Sequence, residues 1–132
     1  MALIVQKYGG TSVGDLNRIR NVAHRVARTR REGNQVVVVV SAMSGETDRL
    51  IQLAHQASEN PELREYDSLI STGEQVSAAL LAITLQSLGV PAKSFLGPQL
   101  RIVTDSAFSA ARIQKVEVTR LRKELRQGSS LW

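Results

Sequence analysis

Cysteine is absent from this 132-residue chain, so it can build neither a disulfide framework nor a thiolate metal centre. Aromatic residues are scarce, with two Phe, two Tyr and one Trp, which leaves little material for stacking on exposed bases. No apolar run approaches the ~18 residues that a membrane-crossing helix needs. No charged segment precedes a long apolar one at the N-terminus, so the pattern of a secretory signal is missing as well. These absences fit a cytoplasmic protein that has no metal site of its own and no membrane partner.

What charge there is leans positive, with a formal net charge of +5. The excess sits in two clusters, Arg18 to Arg31 and Arg112 to Arg126. Both alternate with apolar residues at helical spacing. That marks them as solvated helix faces rather than as a strip for nucleic acid.

The stretch that organises the chain is Lys7-Tyr8-Gly9-Gly10-Thr11-Ser12. Residues 2–8 read as a buried strand, and Leu16, Ile19, Val22, Ala23, Val26 and Ala27 form the apolar stripe of a following helix. Ser12, three residues before Asp15, is the expected N-cap. A strand that ends in a lysine and two glycines before a helix is suited to phosphate: glycine lets backbone approach an anion, and the helix end favours negative charge. It is not the Walker A loop and not GxGxxG, and an ordinary Gly-Gly turn is the plain alternative.

Val36 to Val40 follow as five consecutive β-branched residues, a strand expected to be buried on both faces and so covered by helices on both sides. At its carboxyl end, where ligands bind in open α/β sheets, stands Ser41-Ala42-Met43-Ser44-Gly45, with Thr47 opening the next helix. That helix N-terminus is a second potential anion site. After a break at Asn60-Pro61 come helices over 62–70 and 75–88, with Glu74 at their junction. A carboxylate there either caps the helix or awaits a cation such as an ammonium group. Further expectations are a strand over 92–96, a strand or hairpin arm over 101–104, and a charged helix over 108–127.

Three strings, KYGGTSV, VSAMSGETD and LISTGEQVSAALL, resemble in order the signatures of aspartate kinases within the amino-acid kinase superfamily. The resemblance runs to about Gly128. It implies a three-layer αβα fold with a mainly parallel sheet, left incomplete: residues 1–128 as the N-terminal part of the kinase domain, 129–132 as a non-matching end. It implies ATP-dependent phosphorylation of the aspartate β-carboxylate, giving 4-phospho-aspartate, with Mg2+ carried on the nucleotide phosphates. This is the entry step to lysine, methionine and threonine synthesis.

By the same resemblance Lys7 is the catalytic residue, and it contacts the transferring phosphoryl group. Tyr8, Gly9, Gly10 and Ser41 join Lys7 around the nucleotide phosphates. Thr11, Ser12, Thr47 and Glu74 bind aspartate, with Glu74 suited to its amino group. The family's later GRGGSD string, its adenine pocket and its regulatory ACT domains have no counterpart here. An oligomer, or a partner chain that supplies the missing half, is therefore expected. Two alternatives stand beside this reading. One is a catalytically incompetent fragment that binds aspartate or phosphate; the other is a basic nucleic-acid-binding domain.

Overall fold

A computed structural model describes residues 2–128 and 130–131. In chain order its elements are Leu3–Tyr8 (β1), Leu16–Arg31 (α1), Gln35–Val40 (β2), Glu46–Ala57 (α2), Leu63–Ile70 (α3) and Thr72–Ser87 (α4). There follow Ala92–Lys93 (β3), Ile102–Thr104 (β4), Ile113–Val116 (β5), Thr119–Arg126 (α5) and Ser130–Leu131 (β6). The main sheet has the order β1-β2-β6-β3 and is parallel throughout. β1 and β2 pair along their whole length, from Leu3 opposite Gln35 to Tyr8 opposite Val40. The mixed α/β class with a parallel sheet, and the interior place of the valine strand, are as the sequence implied.

One face of this sheet is covered by α1 and α4. Val36 and Val38 point into a core made by Ile19, Val22, Ala23, Val26 and Ala27 of α1 and by Ala78, Leu81, Ala82 and Leu85 of α4. Fully burying a Leu or Ile contributes about 1.5–3 kcal/mol, so these two helices supply the main apolar anchorage of the sheet. Ser77 is buried among them, and its hydroxyl donates to the Gly73 carbonyl at 3.4 Å.

The other face corrects the expectation of burial on both sides. Among the described residues, Val37 packs there against a small cluster of Phe95, Leu100, Leu121 and Leu125. Leu3, Val5 and Val39 remain 57%, 64% and 48% exposed. A run of valines tells that both faces tolerate burial; how far they are covered depends on the partner. Here the partner is α5, eight residues long and about 12 Å in length, which reaches the middle of the sheet only. β1 is also an edge strand. An apolar edge with an uncovered face favours association. Light scattering of this chain should show concentration-dependent association and apolar dye binding, both reduced by Val5→Thr with Val39→Thr; a stable monomer that binds no dye would contradict it.

Three boundaries also differ from expectation. Asp15, not Ser12, caps α1, and its Oδ1 accepts from the Arg18 amide at 2.8 Å. The helix over 108–127 is confined to α5, while Ile113–Val116 pairs antiparallel with β4. Ile113, Val116 and Val118 are β-branched and fit a pleated strand as readily as a helix stripe. The strand over 92–96 shortens to β3, because Phe95 leaves the sheet to join Leu125. Ser130 and Leu131 pair between β2 and β3; Ser129 and Trp132 lie outside the described residues.

Leu63–Ser87 has the length and mean hydropathy, 1.3, of a membrane-crossing segment. Scattered Ser, Thr and Gln hide this from a search for unbroken apolar runs. Its apolar side chains Leu81 and Leu85 are fully buried in the core beside α1, while Leu63, Val76 and Ile83 are exposed.

Candidate functional site

The site lies where β1 and β2 end. The Ser41 amide donates to the Tyr8 carbonyl at 3.1 Å, which carries the pairing of the strands one residue past β2 and fixes the two following loops side by side. In the first loop the Ser12 amide closes a turn on the Gly9 carbonyl at 3.0 Å, and the Arg18 guanidinium donates to the Thr11 carbonyl. The loops also touch where a Cβ on Gly14 would meet Ser44 Cβ at 3.4 Å.

The second loop, 41–45, ends at Gly45, whose φ of +77° starts α2 without a side-chain cap. The Glu46 amide donates to the Met43 carbonyl at 3.0 Å, while the Thr47 and Asp48 amides of the same turn have no side-chain cap and can face an anion. At α1 the Asp15 carboxylate takes the Arg18 amide, so that amide is not open to an anion.

α4 brings the third component. Its Gly73 sits so close to the 41–45 loop that an added Cβ would lie 3.0 Å from Ala42 Cβ and 3.5 Å from Leu50 Cδ1. That contact places Glu74, in the first turn of α4, at the mouth of the loops. Overpacking costs about 1–3 kcal/mol, against a propensity gain of up to about 1 kcal/mol for alanine in a helix. Gly73→Ala should therefore destabilise the fold by roughly 1 kcal/mol, and Ala42→Gly in the same chain should recover part of that loss. A double-mutant cycle by thermal melting checks this; strictly additive effects would show that the contact is slack.

Gly10, Thr11, Ser41, Thr47 and Glu74 line one cavity of about 520 Å³, together with Ala42 to Gly45 and Asp48. Its ionisable residues are Asp48 and Glu74, with no lysine or arginine among the lining groups. Glu74 takes part in no salt bridge among the described residues. Glu46, in the same first turn as Thr47, is engaged with Arg49 at 2.7 Å; that hydrogen bond holds its carboxyl below the usual range. The cavity thus offers free carboxylates, hydroxyls and helix-end amides, a set that can hold the ammonium and carboxylate groups of a zwitterion together.

The remaining site residues are not brought into that cavity. Tyr8 and Ser12, again with Thr11, line a separate cavity of about 460 Å³ against α1. Burial pushes the Tyr8 phenol above its ordinary pKa, and the nearby Arg25 partly offsets this; its O–H donates to Gln6 Oε1 at 2.9 Å. Lys7 is exposed, on the open sheet face with Leu3 and Val5, since alternate residues of a strand face opposite ways. No atom lies within 4 Å of where a Gly9 Cβ would sit. Asp48, Arg18, Asn21 and Arg25 were not singled out from sequence as site residues. The last three stand at i, i+3 and i+7, a spacing that puts them on one helix face beside the glycine loop.

Glycine loop, small-residue loop and helix-borne carboxylate, gathered at the carboxyl ends of parallel strands, agree with a family assignment over nearly the whole chain. The profile of the amino acid kinase family matches residues 2–131, and the chain belongs to that family. Within it, the chain is 57% identical over 128 residues to the aspartokinase of Pseudomonas aeruginosa and 53% identical over 128 residues to that of Thermus thermophilus. These alignments cover 97% of this chain but 31% and 32% of the two relatives, so the chain spans about a third of their length. The crystal structure of aspartate kinase from Synechocystis is 48% identical and superposes with a TM-score of 0.80, over 98% of this chain and 21% of that one. E. coli aspartokinase III, solved in complex with aspartate and ADP, shares the fold at a TM-score of 0.85 and 20% identity, over 99% of this chain and 40% of that one.

Proposed function

We propose that this chain supplies the amino-acid-binding and phosphate-facing part of an aspartate kinase, residues 1–128 forming the N-terminal part of the domain. The observation that carries this is the convergence of Gly10, Thr11, Ser41, Thr47 and Glu74 on one cavity. Glu74 accepts hydrogen bonds from the α-ammonium group of aspartate. The first-turn amides of α2 and the Thr47 hydroxyl take a carboxylate. The β-carboxylate is thereby presented to the glycine loop, where Gly9 and Gly10 admit the phosphates of ATP and Lys7 meets the charge that builds on the phosphoryl group. A β-carboxylate oxygen forms the new P–O bond as the bond to ADP breaks, giving 4-phospho-aspartate. Such transfer needs positioning and charge stabilisation more than covalent chemistry.

Among the described residues no group of three or more His, Cys, Asp or Glu could hold a metal ion. In this reading Mg2+ comes on the nucleotide phosphates and neutralises their charge. The reaction would open cytoplasmic synthesis of lysine, methionine and threonine. The same cavity also fits a second reading, an aspartate- or phosphate-binding unit. Titrating aspartate into this chain and following backbone amides by NMR tests the binding step shared by both. Saturable shifts at Ser41, Thr47 and Glu74, weakened by Glu74→Gln, are expected; no shift in these loops at high aspartate would overturn the assignment.

A further inference from the structure

The glycine loop has a cavity on each side, and their charges are opposite. Toward α2 and α4 the ionisable groups are carboxylates, Asp48 and Glu74. Toward α1 they are the guanidiniums of Arg18 and Arg25 and the phenol of Tyr8, with no acid among the lining residues. We infer that the α1-side cleft is an oxyanion site, separate from the aspartate cavity, which takes a phosphate or carboxylate group of a small molecule between Arg18 and Arg25.

Several features set these two arginines apart from the other basic residues of α1. Seven residues separate them, two turns and about 10.5 Å along the axis, and Asn21 stands between them in the same cleft. Val22, 3% exposed, is the apolar residue of the cleft, and the hydroxyls of Thr11 and Ser12 border it. Arg18 is tethered by its bond to the Thr11 carbonyl, so a guanidinium is already held at the rim and loses less freedom on binding. Like the other arginines of α1, these two take part in no salt bridge among the described residues. Two uncompensated guanidiniums with hydroxyl and amide groups between them match the forked hydrogen bonding of phosphate and carboxylate. The cleft, about 460 Å³, is within the range of small-ligand sites. Thr11 lines both cavities, so the two ligands would meet at one residue.

The test follows arginine side-chain Nε–H signals by NMR while inorganic phosphate, and separately succinate, is added at constant ionic strength. Saturable shifts at Arg18 and Arg25 are expected, with Arg20 and Arg28 unmoved. Arg18→Gln and Arg25→Gln should each weaken binding roughly tenfold or more, the size of a lost charge-assisted hydrogen bond. The tighter of the two anions names the group the cleft prefers. Glu74→Gln should leave this binding unchanged, which separates it from the aspartate reading. Uniform, non-saturating shifts across all arginines, or binding that survives both substitutions, would overturn the proposal.

Discussion

Lys7→Ala should lower kcat by about 10²–10³-fold, the usual cost of losing one donor where charge develops in the transition state. The setting is a chimera in which this chain replaces the matching 128 residues of the Pseudomonas aeruginosa aspartokinase. Lys7 is the residue before last of β1, followed by Tyr8 and the glycines, and is exposed, with no salt bridge among the described residues. Its ammonium is therefore not committed to a structural partner, and its removal should leave the melting temperature nearly unchanged. It lines neither cavity around the loop, so it is not expected to hold aspartate, and KM for aspartate should move little. A loss in kcat with KM preserved is the signature of an interaction made in the transition state alone. A raised aspartate KM at full kcat would place Lys7 in ground-state binding instead.

Glu74→Ala should act the other way. A carboxylate facing an ammonium group makes a charge-assisted hydrogen bond of about 1.5–3 kcal/mol, so KM for aspartate should rise roughly 10- to 100-fold. KM for ATP should stay near its starting value. If Glu74 served only the positive end of α4, its loss would cost about 0.3–1 kcal/mol of stability and leave both KM values alone. A two-substrate kinetic series with a thermal melt on the same protein separates these outcomes.

Much of the fold was legible because local pattern and tertiary role agree. The valines of β2, the stripe Ile19-Val22-Ala23-Val26-Ala27 and the apolar α4 each bury what their periodicity offers. Where two local solutions were close, the pattern misled. Ser12 and Asp15 are both good caps, and only the turn closed by the Ser12 amide decides that the helix starts after Asp15. Ile113, Val116, Leu121 and Leu125 fit one helix stripe, yet pairing with β4 takes the first two and Phe95 takes the last.

The site divides in the same way. The motifs group Thr11, Ser12, Thr47 and Glu74 toward aspartate and Ser41 toward phosphate; that one cavity is lined by Thr11, Ser41, Thr47 and Glu74 while Tyr8 and Ser12 line another depends on strand pleat and loop contact. Asp48, which stands next to Thr47 at the same helix end, carries no motif signal of its own. The role of Gly73 was invisible for a plain reason: what matters is the absence of a Cβ against Ala42, a residue distant in sequence.

The most direct test of the account is the formation of acyl phosphate, trapped as the hydroxamate, in the chimera with MgATP and aspartate. Aspartate-dependent hydroxamate is expected at a rate comparable to the parent enzyme, lowered about 10²–10³-fold by Lys7→Ala and restored at high aspartate in Glu74→Ala. A well-folded chimera that binds ATP but forms no hydroxamate at any aspartate concentration would contradict it.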